Sequence, residues 1–113
     1  MLRLDAKPQL WVTHDDSGCE FLIGPITPRD NQKLLKAAKD KKGEIDYIVH
    51  NGLTVDFCVV EWKHVGGPEG ELPPTEENKK KLGEKFPSIA NFLFRQATDI
   101  KMFCDEVDAA KND

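Results

Sequence analysis

Residues 64–74, HVGGPEGELPP, hold three glycines and three prolines within eleven positions. Proline supplies no backbone N–H and clashes with a preceding helical turn, so neither a helix nor a central strand runs through this stretch. It has to be a connector. The chain is therefore built from two parts, a hydrophobic run ending in Trp62 and a charged segment opening with TEEN, and any fold must join them across this break.

The chain has 113 residues, 39% of them hydrophobic and 32% charged, which suits one hydrophobic core and not two. A single domain over 1–113 is expected. No run approaches the ~20 apolar residues that cross a bilayer, and the opening MLRLDAKPQL lacks the basic, apolar and small-residue segments of a signal peptide. A cytoplasmic protein is expected. Cys19, Cys58 and Cys104 are odd in number and widely spaced, which argues for reduced thiols and against a disulfide framework. The net charge of −4 disfavours nucleic acid, and the basic stretches KDKK (39–42) and KKK (79–81) carry no interleaved aromatics.

From the N-terminus, two β-prone runs flank DDSG in QLWVTHDDSGCEFLIG, which predicts a hairpin over 10–24 with Trp11 and Phe21 covering a helical body. Asp15 and Asp16 fall at its tip, where hydrated turn residues are expected and not an acid–base pair. Thr27 then caps a helix with Pro28 in its first position and Asp30 at the positive end of its dipole; Leu34, Leu35, Ala37 and Ala38 form its stripe and Gly43 stops it. The helical body is expected to span 27–108, with the connector at 64–74.

The middle segment IDYIVHNGLTVDFCVVEW supports two readings. Val, Ile, Tyr and Phe around Asn51-Gly52 signal a two-residue hairpin, while Leu53, Phe57 and Val60, with Val55, Val59 and Trp62 opposite, match helical spacing. Either way the segment is apolar on more than one face and belongs at the centre. After the connector, Thr75 caps a helix with Glu76 and Glu77 in its first turn and Lys79, Lys80 and Lys81 towards its end; Gly83 and Pro87 bracket a break. From Pro87 one long helix is expected, with Ile89, Phe92, Leu93, Ala97, Ile100, Phe103, Cys104 and Val107 on one face. Phe94 and Met102 lie off that stripe. They either complete a wide core or form an apolar partner-binding surface.

Catalytic and metal chemistry find little support. His14, His50, His64 and the three cysteines have neither Cys-x-x-Cys nor a close His pair, GGPEG matches no phosphate-loop pattern, and no nucleophile motif occurs. The expectation is a protein that is not an enzyme, with no metal and no cofactor.

Three stretches, FLIGPITPRD, DFCVVEWKHVGGPEGELPPTEEN and FPSIANFLFRQATDI, resemble in order and spacing a group of small tailed-bacteriophage and prophage proteins akin to tail assembly chaperones. The likeness covers roughly 20–104 and is one of architecture. It implies a mainly α protein with a small N-terminal β-hairpin (α+β, a compact helical bundle), and with it a helix over about 53–63. It also implies a chaperone in the bacterial host cytoplasm that holds the tape measure protein and contacts the tail tube protein, with no nucleic acid or membrane and with self-association open. The alternative is a structural virion component such as a head-tail or tail-terminator subunit. Trp62 would then end its element and pin the connector, Gly66, Gly67 and Gly70 would let the chain reverse, and Thr75 would start the next helix. Phe94 and Met102 would face the client.

Overall fold

A computed structural model describes residues 8–103. The N-terminal hairpin forms as expected: β1 (Leu10–His14) and β2 (Cys19–Ile23) pair antiparallel with Val12 opposite Phe21. The turn closes through the Gly18 and Ser17 N–H groups on the His14 carbonyl, with Gly18 at φ +73. Helix α1 (Pro28–Ala37) begins at Thr27 with a reciprocal box: the Asp30 N–H donates to Thr27 Oγ1 at 3.1 Å and the Thr27 N–H to the Asp30 carboxylate at 3.0 Å. The helix stops before Gly43, which serves a later turn at φ +81.

The middle segment departs from both readings, because it is helix and then strand. Helix α2 (Tyr47–Cys58) starts six residues earlier than expected, where the Asp46 carboxylate accepts the Ile48 and Val49 N–H groups. Asn51-Gly52 lies inside it and forms no hairpin. The expected helix over 53–63 is wrong beyond Cys58: β3 (Val59–Lys63) pairs antiparallel with β2 and completes a three-stranded sheet of order β1-β2-β3. A bulge between the Leu22–Glu61 and Ile23–Val59 pairs places Val60 as the extra residue, so Val59 and Trp62, three apart, both face inward. That spacing prolongs the helical period of Val55 and hides the strand.

Two short strands, β4 (Gly66–Gly67) and β5 (Gly70–Glu71), form a small antiparallel hairpin inside the connector. Thr75 caps α3 (Glu76–Lys85) by accepting the Asn78 N–H at 3.2 Å. The helix runs through Gly83 and ends at Phe86, so the expected break at Gly83 does not occur and Lys79, Lys80 and Lys81 lie mid-helix. Lys79 is only 15% exposed and acts as a cap: its Nζ donates to the Asp56 and Val59 carbonyls at 3.2 and 3.1 Å, satisfying the end of α2 where it turns into β3.

Helix α4 (Pro87–Thr98) ends at Asp99, and residues 100–103 are helical again. The single long helix is therefore interrupted. Thr98 Oγ1 donates to the Phe94 carbonyl at 2.8 Å, a local bond that competes with the helical ladder. The interruption turns Ile100 into solvent while Ile89, Leu93, Ala97 and Phe103 stay buried. The expected core positions Cys104 and Val107 lie outside the described residues.

The result is a compact α+β globule, about half helical, with a small three-stranded antiparallel sheet in place of a lone hairpin. One continuous core joins the inner sheet face (Val12, Phe21, Trp62) to Leu34 of α1, Val55 of α2, Leu82 of α3, Leu93 of α4 and Phe103 beyond it. Helix α2 packs against α1, α3 and α4, which accounts for its apolar residues on more than one face. Within it Thr54 is 1% exposed and its hydroxyl has no hydrogen-bond partner among the described residues. Thr54→Val keeps the shape and removes that polar atom, so it should raise stability by about 1 kcal/mol in a urea titration. A loss of similar size would mean the hydroxyl is satisfied.

Candidate binding groove

Trp62 anchors the site. It is 8% exposed, meets Phe21 edge-on at 6.5 Å between ring centroids, and its indole Nε1–H donates to the Leu72 carbonyl at 2.7 Å. The expected pinning of the connector is thus a side-chain to backbone hydrogen bond across ten residues. Three further bonds hold the connector: the Leu72 N–H to the Val65 carbonyl at 2.8 Å, the His64 N–H to Glu71 Oε1 at 2.9 Å, and Asn78 Nδ2 to the Pro73 carbonyl at 2.9 Å. Reversal is shared differently from the expectation. Gly70 takes φ +113 and His64 takes φ +67, whereas neither Gly66 nor Gly67 has positive φ. Gly66 is needed instead for closeness, since a Cβ there would lie 3.0 Å from the Gly70 carbonyl oxygen.

Between this hairpin and α3 lies a cleft of about 450 Å³, within the range of ligand-binding pockets. Its floor is Trp62 and Val65, one wall is Gly66, Gly67, Pro68 and Leu72, and the other is Leu82, Phe86, Lys81 and Lys85. Leu72 is 39% exposed and Phe86 51%, although both are large and apolar. Phe86 precedes Pro87, a position from which helix is disfavoured, and its backbone leaves helical geometry at φ −126, ψ 75. Along the rim, Lys81 reaches Glu77 at 3.6 Å with both side chains more than half exposed, while Lys85 makes no ion pair among the described residues.

Phe94 and Met102 are not at this groove. Both are half-buried and pack against the core, with Phe94 edge-on to His50 at 6.0 Å. They are only partly exposed, in place of the open apolar surface that the partner-surface reading expected. His50 bridges α2 and α1 through Asn31 Oδ1 at 3.3 Å, and burial holds its pKa below the usual value. The more exposed large apolar residues among those described are others: Leu72 and Phe86 in the groove, Tyr47, Ile48 and Val49 on the first turn of α2, Phe57 near its end, Trp11 and Val60 on the sheet, and Ile100 just after α4. Only proline placement beside Leu72 and Phe86 hinted at the groove in sequence.

No group of three or more potential metal ligands occurs among the described residues. His64 lies 3.6 Å from Glu20 and 3.5 Å from Glu71, an exposed cluster that orders the start of the hairpin. Cys19 Sγ is 3.3 Å from the His64 carbonyl. Cys58 is 1% exposed, and burial pushes its thiol up to about 12. At pH 8 it should therefore be almost wholly protonated and inert. In a chain whose other two cysteines are serine, thiol labelling of Cys58 should be negligible in native buffer and rise with denaturant in step with unfolding. Rapid native labelling would refute that placement.

No protein-family model, no curated protein and no solved structure matches the chain.

Proposed function

We propose that this protein is a non-enzymatic chaperone of phage tail assembly, which holds the tape measure protein soluble in the host cytoplasm and meets the tail tube protein as assembly proceeds. The observation that carries this reading is the groove: an apolar trough with Leu72 and Phe86 exposed, floored and walled on one side by the 62–78 stretch that shares in the likeness to that group and walled on the other by the end of α3. An amphipathic helix can lay its apolar face in such a trough, and exposed apolar surface of this kind is retained where a partner covers it. The contact surface in this proposal is the groove and not Phe94 and Met102. No cofactor is involved.

The test is co-expression with the tape measure protein of the same phage or prophage. Wild type should keep the client soluble, and Leu72→Glu/Phe86→Glu should lower the soluble fraction at least about fivefold, since each anchor contributes roughly 1 kcal/mol or more. Circular dichroism should stay unchanged. A folded double variant that protects the client as well as wild type would remove the groove from the account.

One observation favours a second reading, a structural virion component such as a head-tail or tail-terminator subunit. Both sheet edges, β1 and β3, are unpaired among the described residues, and Trp11 and Val60 are exposed nearby, as suits a subunit that packs against copies of itself. Mass spectrometry of purified particles separates the two, because a chaperone is absent from the finished virion.

A further inference from the structure

We infer that the groove selects an acidic amphipathic helix, one that sets its apolar side chains on Trp62, Leu72 and Phe86 and its carboxylates against Lys81 and Lys85. This rests on the reading of the groove as the client site and adds the chemistry of what it accepts.

The two lysines lie four residues apart on α3, both among the groove's lining residues. At 1.5 Å per residue they are separated by about 6 Å along the helix, the same pitch as two carboxylates at i and i+4 on a helix laid alongside. Neither lysine is firmly committed elsewhere. Lys81 shares a weak, exposed contact with Glu77 at 3.6 Å, and Lys85 has no ion pair among the described residues. Exposed pairs of this kind contribute little and exchange readily.

The facing wall offers no opposing charge. Gly66, Gly67 and Pro68 are neutral, Glu71 is turned to the His64 N–H at 2.9 Å, and Glu69 is outside the lining. Of the other two lysines of α3, Lys79 is spent on the end of α2 and Lys80 is held by Glu76 at 2.7 Å. The chain's net charge of −4 repels an acidic partner at long range. At physiological salt only charges within about 8 Å are felt strongly, so at contact the lysine rim decides.

The test uses the full chain carrying Trp11→Phe, which leaves Trp62 as the sole indole. Two synthetic helical peptides of about 18 residues, five turns, serve as probes; they share a leucine stripe and differ only in flanking glutamates or lysines at i and i+4. The glutamate peptide should change Trp62 emission and bind about tenfold more tightly than its lysine isomer, with the gap narrowing as salt rises. Lys81→Glu/Lys85→Glu alters exposed side chains, so the fold should persist, and the preference should reverse. Equal binding of the two peptides, binding of neither, or a preference unmoved by charge reversal would overturn the inference.

The outcomes are separable from the chaperone reading. If co-expressed client is protected through Leu72 and Phe86 while the peptides are not distinguished, charge selection fails and the chaperone reading stands. If the glutamate peptide binds as described but no client is protected, the groove chemistry stands and the chaperone reading fails.

Discussion

Gly83→Ala is expected to destabilise the protein by about 2–3 kcal/mol, the usual cost of overpacking, even though alanine is worth ~1 kcal/mol more than glycine in a helix interior. The sign is decided by backbone. A Cβ at Gly83 would collide with the Asn51 carbonyl oxygen and would stand 2.7 Å from its carbon and 2.8 Å from the Gly52 Cα. No side chain can move aside, so α2 and α3 would have to separate, drawing Lys79 off the end of α2 as they do. Gly52→Ala should cost less, because its nearest neighbours are the Lys80 carbonyl oxygen at 3.0 Å and the movable Glu84 side chain at 3.1 Å. Urea titrations of the two variants decide it. A gain of stability at Gly83, the ordinary result for an exposed helical glycine, would mean the helices do not cross there.

Trp62→Ala should cost about 3–5 kcal/mol, a large share of the roughly 5–15 kcal/mol that holds a domain together. The ring fills the junction of sheet, connector and α3, and its loss also releases the Leu72 carbonyl. Trp62→Phe separates the two effects. It keeps most of the apolar bulk and forfeits the hydrogen bond, which should cost about 1 kcal/mol for the bond itself and loosen the hairpin over 64–72. In hydrogen exchange, the Leu72 amide should lose protection in Trp62→Phe while amides in α4 keep theirs. A loss under about 1 kcal/mol for Trp62→Ala would contradict its burial.

What could be read from sequence was local chemistry. The DDSG turn, the Thr27 and Thr75 caps and Pro28 at a helix start each depend on neighbours within four residues, and each forms where its residues predict. The Asp46 cap was equally local, but Asn51-Gly52 offered a competing turn signal within the helix that Asp46 starts. Gly52 and Gly83 read as breakers because propensity takes no account of partners; both are buried where α2 meets α3. Strand β3 was masked by its bulge, which gave Val59 and Trp62 a helix-like spacing. The groove was least legible. It depends on Trp62 reaching Leu72 and on α3 standing opposite the hairpin, and neither relation has a sequence period. Phe94 and Met102 stood out by period, yet a core built from several helices and a sheet takes in residues beyond one stripe.

The central claim, that the groove between the 66–71 hairpin and α3 is where a client helix docks, is met most directly by hydrogen exchange on the protein with and without its bound tape measure protein. The account predicts new protection confined to residues 64–72 and 80–86, with the first turn of α2 and the outer sheet face unchanged. Protection at Tyr47–Val49 or across Trp11 and Val60, with the groove unaltered, would contradict it.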